Sequence, residues 1–284
     1  MGSHYVPQQY LRAFEVPGDP GMIWTYDKKL GSGKKLPIKN VAQARGFYPP
    51  GVEAELNDKL EGPANIILAE LTNLRPITEE QRVHFGIYIA GMIKRVPRRR
   101  RISRDEILPK ALKKTMDEML AEVKQFAATT SNKEVGAQKV AEVERIRDQF
   151  NEKPPDEVID QIESPWPTKR TAEAVLALTW RITFTKGPQY FITSDNPSFI
   201  FEGLGVGTED SEIAFPLSPR VALMGSKRGK PGEMIYVEVK QILVREVNRR
   251  MAASAERLIF AQGEQPWLPA VMSKPKPYLS KIAW

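Results

Sequence analysis

The sequence of 284 residues predicts an α+β protein, because helix-like and strand-like patterns occupy separate parts of the chain. Apolar residues recur every three or four positions between about residues 53 and 178, which indicates a bundle of helices. Short runs of alternating polarity follow from residue 179, and one more lies at residues 21–27. We therefore predict a single α+β domain over residues 1–284. Its small, mainly antiparallel sheet is formed largely by the C-terminal half and is joined by strand 21–27.

The helical region begins near Glu53 and is interrupted once. Its first apolar stripe consists of Leu56, Leu60, Ala64, Ile67 and Leu71. Gly62-Pro63 breaks this stripe and predicts a kink or two short helices. A second helix is predicted from Thr78 to about Arg95, because Thr78 and Gln81 have the spacing of a capping box and Val96-Pro97 ends the pattern.

Three more helices complete this region. Residues 105–126 and 133–150 form long, charged helical patterns, and Thr129-Thr130-Ser131-Asn132 separates them. Pro154-Pro155 ends the second pattern. A shorter helix from Thr171 to about Leu178 leads into the strands.

The sheet-rich region, residues 179–284, opens with two strand-like runs around a turn. Residues 181–185 and 189–193 flank Lys186-Gly187-Pro188, which predicts a β-hairpin. Further short strands are predicted at residues 198–201, 212–215, 221–224 and 234–237. Residues 240–261 are predicted to form one closing helix. The run Gly203-Leu204-Gly205-Val206-Gly207 lacks the spacing of a dinucleotide-binding loop and is predicted to be a flexible loop.

The composition argues against several classes of protein. No segment approaches the roughly 20 uncharged apolar residues of a membrane span, and the N-terminus lacks the pattern of a signal peptide. The absence of cysteine rules out disulfides, thiolate metal sites and a cysteine nucleophile. The sequence also lacks a Walker A loop and a His-Glu-x-x-His motif, which argues against P-loop ATPases and zincin proteases. We expect a cytoplasmic protein without a membrane partner.

The net charge of +7 is unevenly distributed. The eleven residues from Lys94 to Arg104 carry seven positive charges, and the first acid that follows is Asp105. Such a density attracts polyanions through counterion release, so nucleic acid is a candidate partner. The alternative is a solvated helix end that only improves solubility.

Residues suited to chemistry gather in two distant segments. His4 begins a run with Tyr5, Tyr10 and Arg12, and its imidazole would act as a general base or metal ligand beside a carboxylate. The segment Thr193-Ser194-Asp195-Asn196-Pro197 leaves a predicted strand and enters a turn. Its side chains suit either a ligand-orienting loop or an Asx-turn that bonds its own backbone. A hydrogen-bonded structural role likewise stays open for His4.

Two other polar residues are predicted to be structural. His84 lies between Val83 and Phe85 in an apolar helix, which is typical of a hydrogen-bonded core or interface histidine. Asn248 is polar in an otherwise amphipathic helix, which favours a buried hydrogen-bond partner over a ligand contact.

Taken in order, these segments resemble the DUF4238 family, whose function is undefined. The matching residues are His4-Tyr5-Val6-Pro7, Tyr10-Leu11-Arg12, Phe14, Trp24-Thr25-Tyr26-Asp27, Phe47-Tyr48, Glu61, Arg95-Val96-Pro97, Phe191-Ile192-Thr193-Ser194-Asp195-Asn196-Pro197, Phe215-Pro216-Leu217-Ser218-Pro219 and Asn248. The resemblance implies positions for a site but no reaction. The charged stretch of residues 133–155 matches no motif that we associate with the family and is a candidate insertion.

We assign His4, Glu61 and Asp195 to catalysis. Arg12 and Arg95 are suited to binding phosphate, because a guanidinium group can donate two hydrogen bonds to it. The residues assigned to substrate binding are Tyr10, Arg12, Tyr48, Arg95, Ser194 and Asn196. Glu61, Asp195, Asn196 and His4 would together suit Mg²⁺ or Mn²⁺, although no ligand spacing in the sequence indicates a metal directly. No other cofactor is indicated.

Three functional hypotheses follow. The leading one is a hydrolase of a phosphate-containing substrate, nuclease-like and acting on nucleic acid, with His4 as the acid/base. The second is a non-catalytic nucleic-acid-binding module that uses residues 94–104. The third is a structural protein in which the motifs of His4 and Asp195 form a buried polar network. The catalytic hypothesis requires His4 to fold back against Asp195.

Overall fold

A computed structural model describes residues 2–200 and 211–272 of the chain. The strands are β1 (Ser3–His4), β2 (Met22–Asp27), β3 (Ser32–Pro37), β4 (Gln43–Ala44), β5 (Thr179–Phe184), β6 (Thr193–Ser194), β7 (Phe199–Ile200), β8 (Glu212–Pro216), β9 (Val221–Ser226), β10 (Met234–Glu238) and β11 (Leu258–Ala261). The helices are α1 (Gln8–Arg12), α2 (Val52–Leu56), α3 (Gly62–Thr72), α4 (Glu79–Lys94), α5 (Pro97–Ile102), α6 (Leu108–Thr129), α7 (Lys133–Glu152), α8 (Asp156–Glu163), α9 (Lys169–Leu176), α10 (Gln241–Ser254) and α11 (Leu268–Met272). The predicted loop at residues 203–207, and the last residue of the predicted strand 198–201, lie outside the described residues.

The strands form small sheets that are mostly antiparallel, which confirms the predicted α+β class. One sheet has the order β10-β5-β9-β8-β7, with β10 and β5 parallel. A second has the order β3-β2-β11-β6 and is antiparallel throughout. Strands β1 and β4 form a two-stranded ribbon. The strand predicted at residues 21–27 is β2, and it pairs with the C-terminal strand β11.

The hairpin predicted around Lys186-Gly187-Pro188 is wrong. Strand β5 pairs with β9 and β10, whereas β6 pairs with β11 in the other sheet. The backbone between them is bound by a helix side chain, because Asn248 accepts from the N–H of Ile192 at 3.0 Å and donates to the carbonyl of Tyr190 at 2.8 Å. The same contacts confirm the structural role predicted for Asn248, which is buried.

The single closing helix predicted for residues 240–261 is also wrong, since α10 ends at Ser254 and β11 follows. Ala255 leaves the helical conformation with a ψ of 136°. The Lys28 ammonium group then donates to the carbonyls of Ala252 and Ala255, at 3.1 and 2.9 Å. A cation that binds the last carbonyls of a helix stabilises its C-terminus.

The chain divides into two compact units. The first contains the described residues on both sides of the second, which is Pro97–Ser164. Among the described residues, all three sheets and both large clusters of buried apolar side chains belong to the first unit. The stretch 133–155, our candidate insertion, lies within the second unit.

The second unit is built around the helices α6 and α7, which pack against each other. Asn132 caps α7 by accepting a hydrogen bond from the N–H of Val135 at 3.1 Å. A Cβ atom on Gly136 would lie 2.9 Å from the Cα of Ala127, so glycine permits the close approach of these helices. The buried apolar residues of the unit are Leu108, Met116, Leu120 and Val143.

The helix predicted from Thr78 is confirmed as α4. Thr78 accepts from the N–H of Gln81 at 3.2 Å, and the Gln81 side chain accepts from the N–H of Thr78 at 2.9 Å, as a capping box requires. His84 lies on this helix and is half-buried, with its Nε2 at 3.2 Å from the carbonyl of Leu60. This hydrogen bond confirms the structural role predicted for His84.

Over residues 2–200 and 211–272, the structure contains no helix that is both long enough and apolar enough for a membrane span.

Candidate functional site

His4 is paired with a carboxylate, but this carboxylate belongs to Glu53. The His4 Nδ1 lies 3.7 Å from Glu53 Oε1, and the backbone N–H of His4 donates to the same oxygen at 3.2 Å. The other ring nitrogen, Nε2, lies 3.3 Å from the carbonyl oxygen of Lys39. Both ring nitrogens therefore have partners, and neither partner is Asp195. This arrangement fixes the imidazole between helix α2 and the segment Ile38–Asn40, which precedes β4.

Asp195 is buried and its carboxylate binds backbone N–H groups. Oδ1 accepts from Glu256, and Oδ2 accepts from Arg257 and Leu258, each at 2.8 Å. Burial raises the pKa of Asp195 to about 6, even though the hydrogen bonds from the three N–H groups lower it. The carboxylate thus holds the segment between α10 and β11 in place.

Ser194 and Asn196 anchor the same turn. The Ser194 hydroxyl donates to the Asn196 carbonyl at 2.9 Å and accepts from the Asn196 N–H at 3.1 Å. The Asn196 side-chain amide donates to the carbonyl of Ser254, the last residue of α10, at 3.1 Å. These bonds are local turn contacts and helix contacts, the structural alternative raised for this segment.

Tyr10 connects three of the segments that carry the resemblance to DUF4238. Its buried hydroxyl donates to the carbonyl of Pro216 and lies within hydrogen-bonding distance of the Thr193 hydroxyl, both at 2.7 Å. Its ring stacks on Phe215 with the centroids 5.2 Å apart. Arg12, in contrast, is half-exposed and pairs with Glu15 at 3.1 Å. Tyr10 therefore belongs to the core and Arg12 to the surface.

We expect Tyr10→Phe to lower the free energy of unfolding by about 1–3 kcal/mol, because it leaves the Pro216 carbonyl and the Thr193 hydroxyl without this partner. Urea unfolding measures the change. The matched control is Tyr236→Phe, which removes a surface hydroxyl bonded to the carbonyl of Arg75 and should change stability by no more than about 0.5 kcal/mol. Equal losses in the two variants would show that the Tyr10 hydroxyl does not join these segments.

Glu61 and Arg95 form an ion pair in the first unit. Arg95 Nη1 donates to Glu61 Oε1 at 2.7 Å, and the side chains are 0% and 16% exposed, respectively. Glu61 ends the π-helical segment Asn57–Glu61, and such segments occur often at functional sites. Burial is the largest single effect and lowers the pKa of Arg95, but the charge of Glu61, the nearby tyrosines and the hydrogen bond to Glu61 together outweigh it, so the net shift is upward.

Two tyrosines surround this pair. The nearby Tyr48 and Tyr88 also raise the pKa of Arg95. Burial raises the pKa of Tyr88 strongly, so its hydroxyl keeps its proton and is a donor at neutral pH. The Tyr88 hydroxyl and the Arg95 Nε are both buried and have no hydrogen-bond partner among the described residues. Buried polar groups without partners are uncommon and often mark the place of a water or ligand.

A row of aromatic rings lies between this pair and Asp195. Burial raises the pKa of Tyr5, and the negative charge of Asp195 raises it further, so the two groups are electrostatically coupled. The Tyr5 ring lies 5.4 Å from that of Phe47, which lies 4.9 Å from that of Tyr48. The N-terminal segment therefore does approach the Asp195 turn, but through Tyr5 rather than through His4.

The structure brings some of the predicted site residues together and separates others. Glu61, Arg95 and Tyr48 form one cluster, and Tyr10, Ser194, Asp195 and Asn196 bind the backbone elsewhere. Within residues 2–200 and 211–272, no three His, Asp or Glu side chains are grouped as a metal site would require.

The sequence motifs did not indicate Tyr88, although Tyr88 stands seven residues before Arg95 and therefore lies on the same helix face. Nothing in the sequence marks Glu53 as the partner of His4, since acids are ordinary in the first turn of a helix.

Comparison with known proteins gives one family. The family described as "Protein of unknown function (DUF4238)" matches residues 3–265. The chain belongs to the DUF4238 family. Neither the curated proteins nor the solved structures contain a match. The DUF4238 match includes every residue of the candidate site but names no activity.

Proposed function

We propose that this protein is a hydrolase of phosphate-containing substrates, nuclease-like, with Glu61 and Arg95 at its active centre. One observation carries the proposal. Arg95 presents a buried edge whose Nε has no hydrogen-bond partner among the described residues, and it is held by Glu61, whose side chain is partly exposed. The absence of cysteine fits a reducing compartment, and we propose the cytoplasm as its location.

The free edge of Arg95 is the part of the side chain that would bind phosphate. The guanidinium binds Glu61 through Nη1, which leaves Nε and Nη2 as a second pair of donors. Nη2 donates to the Met92 thioether sulfur, a weak acceptor, at 3.2 Å, and Nε has no partner among the described residues. Two parallel N–H donors of this kind match two oxygens of a phosphate group.

Glu61 would activate the attacking water. Its Oε1 binds Arg95, while Oε2 has no protein hydrogen bond among the described residues and the side chain is partly exposed. A carboxylate oxygen that faces solvent can hold a water molecule and accept its proton. Because the same guanidinium would bind the phosphate, water and phosphorus would be held close together. The Tyr88 hydroxyl would donate to a further phosphate oxygen.

The reaction is a substitution at phosphorus. Glu61 accepts a proton from the water as the water oxygen bonds to phosphorus. The bond from phosphorus to the leaving oxygen breaks, and the leaving oxygen keeps the bonding electrons and takes a proton from solvent. Arg95 stabilises the charge that develops on the phosphate oxygens. His4 and Asp195 have no step in this reaction, since His4 contacts Glu53 and the carbonyl of Lys39, and Asp195 binds backbone N–H groups.

The test is hydrolysis of single-stranded RNA, single-stranded DNA, duplex DNA and bis(4-nitrophenyl) phosphate, with and without Mg²⁺. We expect Glu61→Gln to lower kcat by about 10²–10⁴-fold, because glutamine can accept from Arg95 but cannot take the proton from water. The matched control is Glu55→Gln, which changes an exposed acid on the preceding helix and should keep full activity.

A second variant separates binding from chemistry. Tyr88→Phe should raise KM more than it lowers kcat, because it removes a donor to the bound phosphate. Thermal melts confirm that each variant is folded at the assay temperature. If the wild type hydrolyses none of the four substrates, or if Glu61→Gln and Glu55→Gln are equally active, Glu61 and Arg95 are not a hydrolytic centre.

A further inference from the structure

The sequence from Pro97 to Arg104, here called the arginine segment, holds five arginines and no acid. The rest of the second unit, residues 105–164, holds fourteen acids and nine lysines or arginines. The unit as a whole is therefore neutral, but its arginines are concentrated at the N-terminal end of its sequence. Such a charge distribution directs a polyanion to the arginine segment and repels it from the remainder of the unit.

The arginines of this segment differ in their partners. Arg100 donates to the backbone carbonyl of Glu163 and lies 3.8 Å from its carboxylate. Arg104 binds Asp105 at 3.0 Å and lies 3.6 Å from Glu163. Arg98 and Arg101 each take part in an interaction as well. These contacts hold the segment against the acids that follow it in the chain.

Arg99 has no hydrogen bond or ion pair among the described residues. It lies in the middle of helix α5 and is half-buried, and burial lowers the pKa of its guanidinium. A desolvated guanidinium without a counter-charge is costly, and an external anion would remove that cost. Its flat donor fork suits a phosphate group.

We infer that the arginine segment is a nucleic-acid-binding site, in which Arg99 makes the central contact with a backbone phosphate. This site lies in the second unit and does not depend on hydrolysis at Glu61. The alternative occupant is an anionic membrane, but membrane-bound helices present a broad apolar face. The six residues of α5 include one large apolar side chain, Ile102, which is half-buried. The chemistry therefore favours nucleic acid.

The test is fluorescence anisotropy with labelled single-stranded RNA, single-stranded DNA and duplex DNA. A vesicle arm uses phosphatidylserine-containing vesicles. With four phosphate contacts, duplex affinity should fall about 10²-fold between about 50 and 200 mM salt. Arg99→Gln should weaken binding about tenfold and reduce the slope of log affinity against log salt by about one. The matched control is Arg145→Gln, which removes the same charge from an exposed position in the same unit and should leave affinity unchanged.

Stability provides a separate readout. The melting temperature of Arg99→Gln should be no lower than that of the wild type, since the change removes a desolvated charge. Arg99→Lys should bind with intermediate affinity, because lysine keeps the positive charge but lacks the paired N–H donors of the guanidinium group. Equal weakening by Arg99→Gln and Arg145→Gln, or binding to vesicles but to no nucleic acid, would overturn the inference. Nucleic-acid binding without any hydrolysis would preserve it and count against the proposed hydrolase alone.

Discussion

Glu61→Leu is expected to lower the free energy of unfolding by about 3–5 kcal/mol. The reason is that Arg95 is fully buried and its guanidinium cannot lose its proton, so the change leaves a buried charge without its counter-charge. Urea unfolding monitored by circular dichroism measures the loss. The exposed pair formed by Glu55 and Lys59 supplies the control, since Glu55→Leu should cost no more than about 1 kcal/mol.

The double variant Glu61→Leu with Arg95→Met separates the charge effect from packing. Replacing both members of a buried ion pair by apolar side chains is often neutral or even stabilising. We therefore expect the double variant to be more stable than Glu61→Leu alone, with strongly non-additive energies. If the two single losses simply add in the double variant, Glu61 and Arg95 do not compensate each other's charge.

Asp195→Ala is expected to lower the free energy of unfolding by about 3 kcal/mol at neutral pH, because three backbone N–H groups lose their acceptor. Urea unfolding again measures the change. The control is Asp148→Ala, which removes an exposed carboxylate paired with Arg147 and should cost no more than about 0.5 kcal/mol. Similar small losses in both variants would mean that Asp195 does not hold the segment before β11.

The loss on Asp195→Ala should also depend on pH. The pKa of about 6 in the folded protein lies above the ordinary value of 3.8, so the folded chain binds this proton more tightly than the unfolded chain. The part of the stability that comes from this tighter proton binding is therefore complete below about pH 3.8 and is lost as the pH rises through about 6, and it adds to what the three hydrogen bonds contribute at neutral pH. The deficit of the variant should be larger at pH 4 than at pH 7. A deficit that grows as the pH rises would contradict the upward shift.

The elements that the sequence predicts well are those with local signals. The capping box of Thr78 and Gln81 gives the start of α4, and the break at Thr129-Thr130-Ser131-Asn132 separates α6 from α7. The hairpin after β5 fails because the partners of its two strands lie elsewhere in the chain. Strand β11 was missed because it directly follows α10 and its partner β2 is more than 200 residues away.

The site follows the same rule. The resemblance to DUF4238 indicated Glu61, Arg95 and Tyr48, which the structure places in one cluster. It also indicated His4 and Asp195, but no local pattern shows that His4 binds Glu53 or that Asp195 binds backbone N–H groups. Those partners are set by tertiary contacts between segments that are far apart in the sequence, which periodicity and spacing do not encode.

The position of β11 has a consequence for biosynthesis. Strands β2 and β3 leave the ribosome first, yet the strand that covers the free edge of β2 ends at Ala261. A two-stranded ribbon is marginally stable in water, and an uncovered edge can pair with other chains. The pair of β2 and β3 therefore stays incomplete while the more than 200 residues between β3 and β11 are synthesised. A nascent chain that stalls before Ala261 would expose this edge to aggregation.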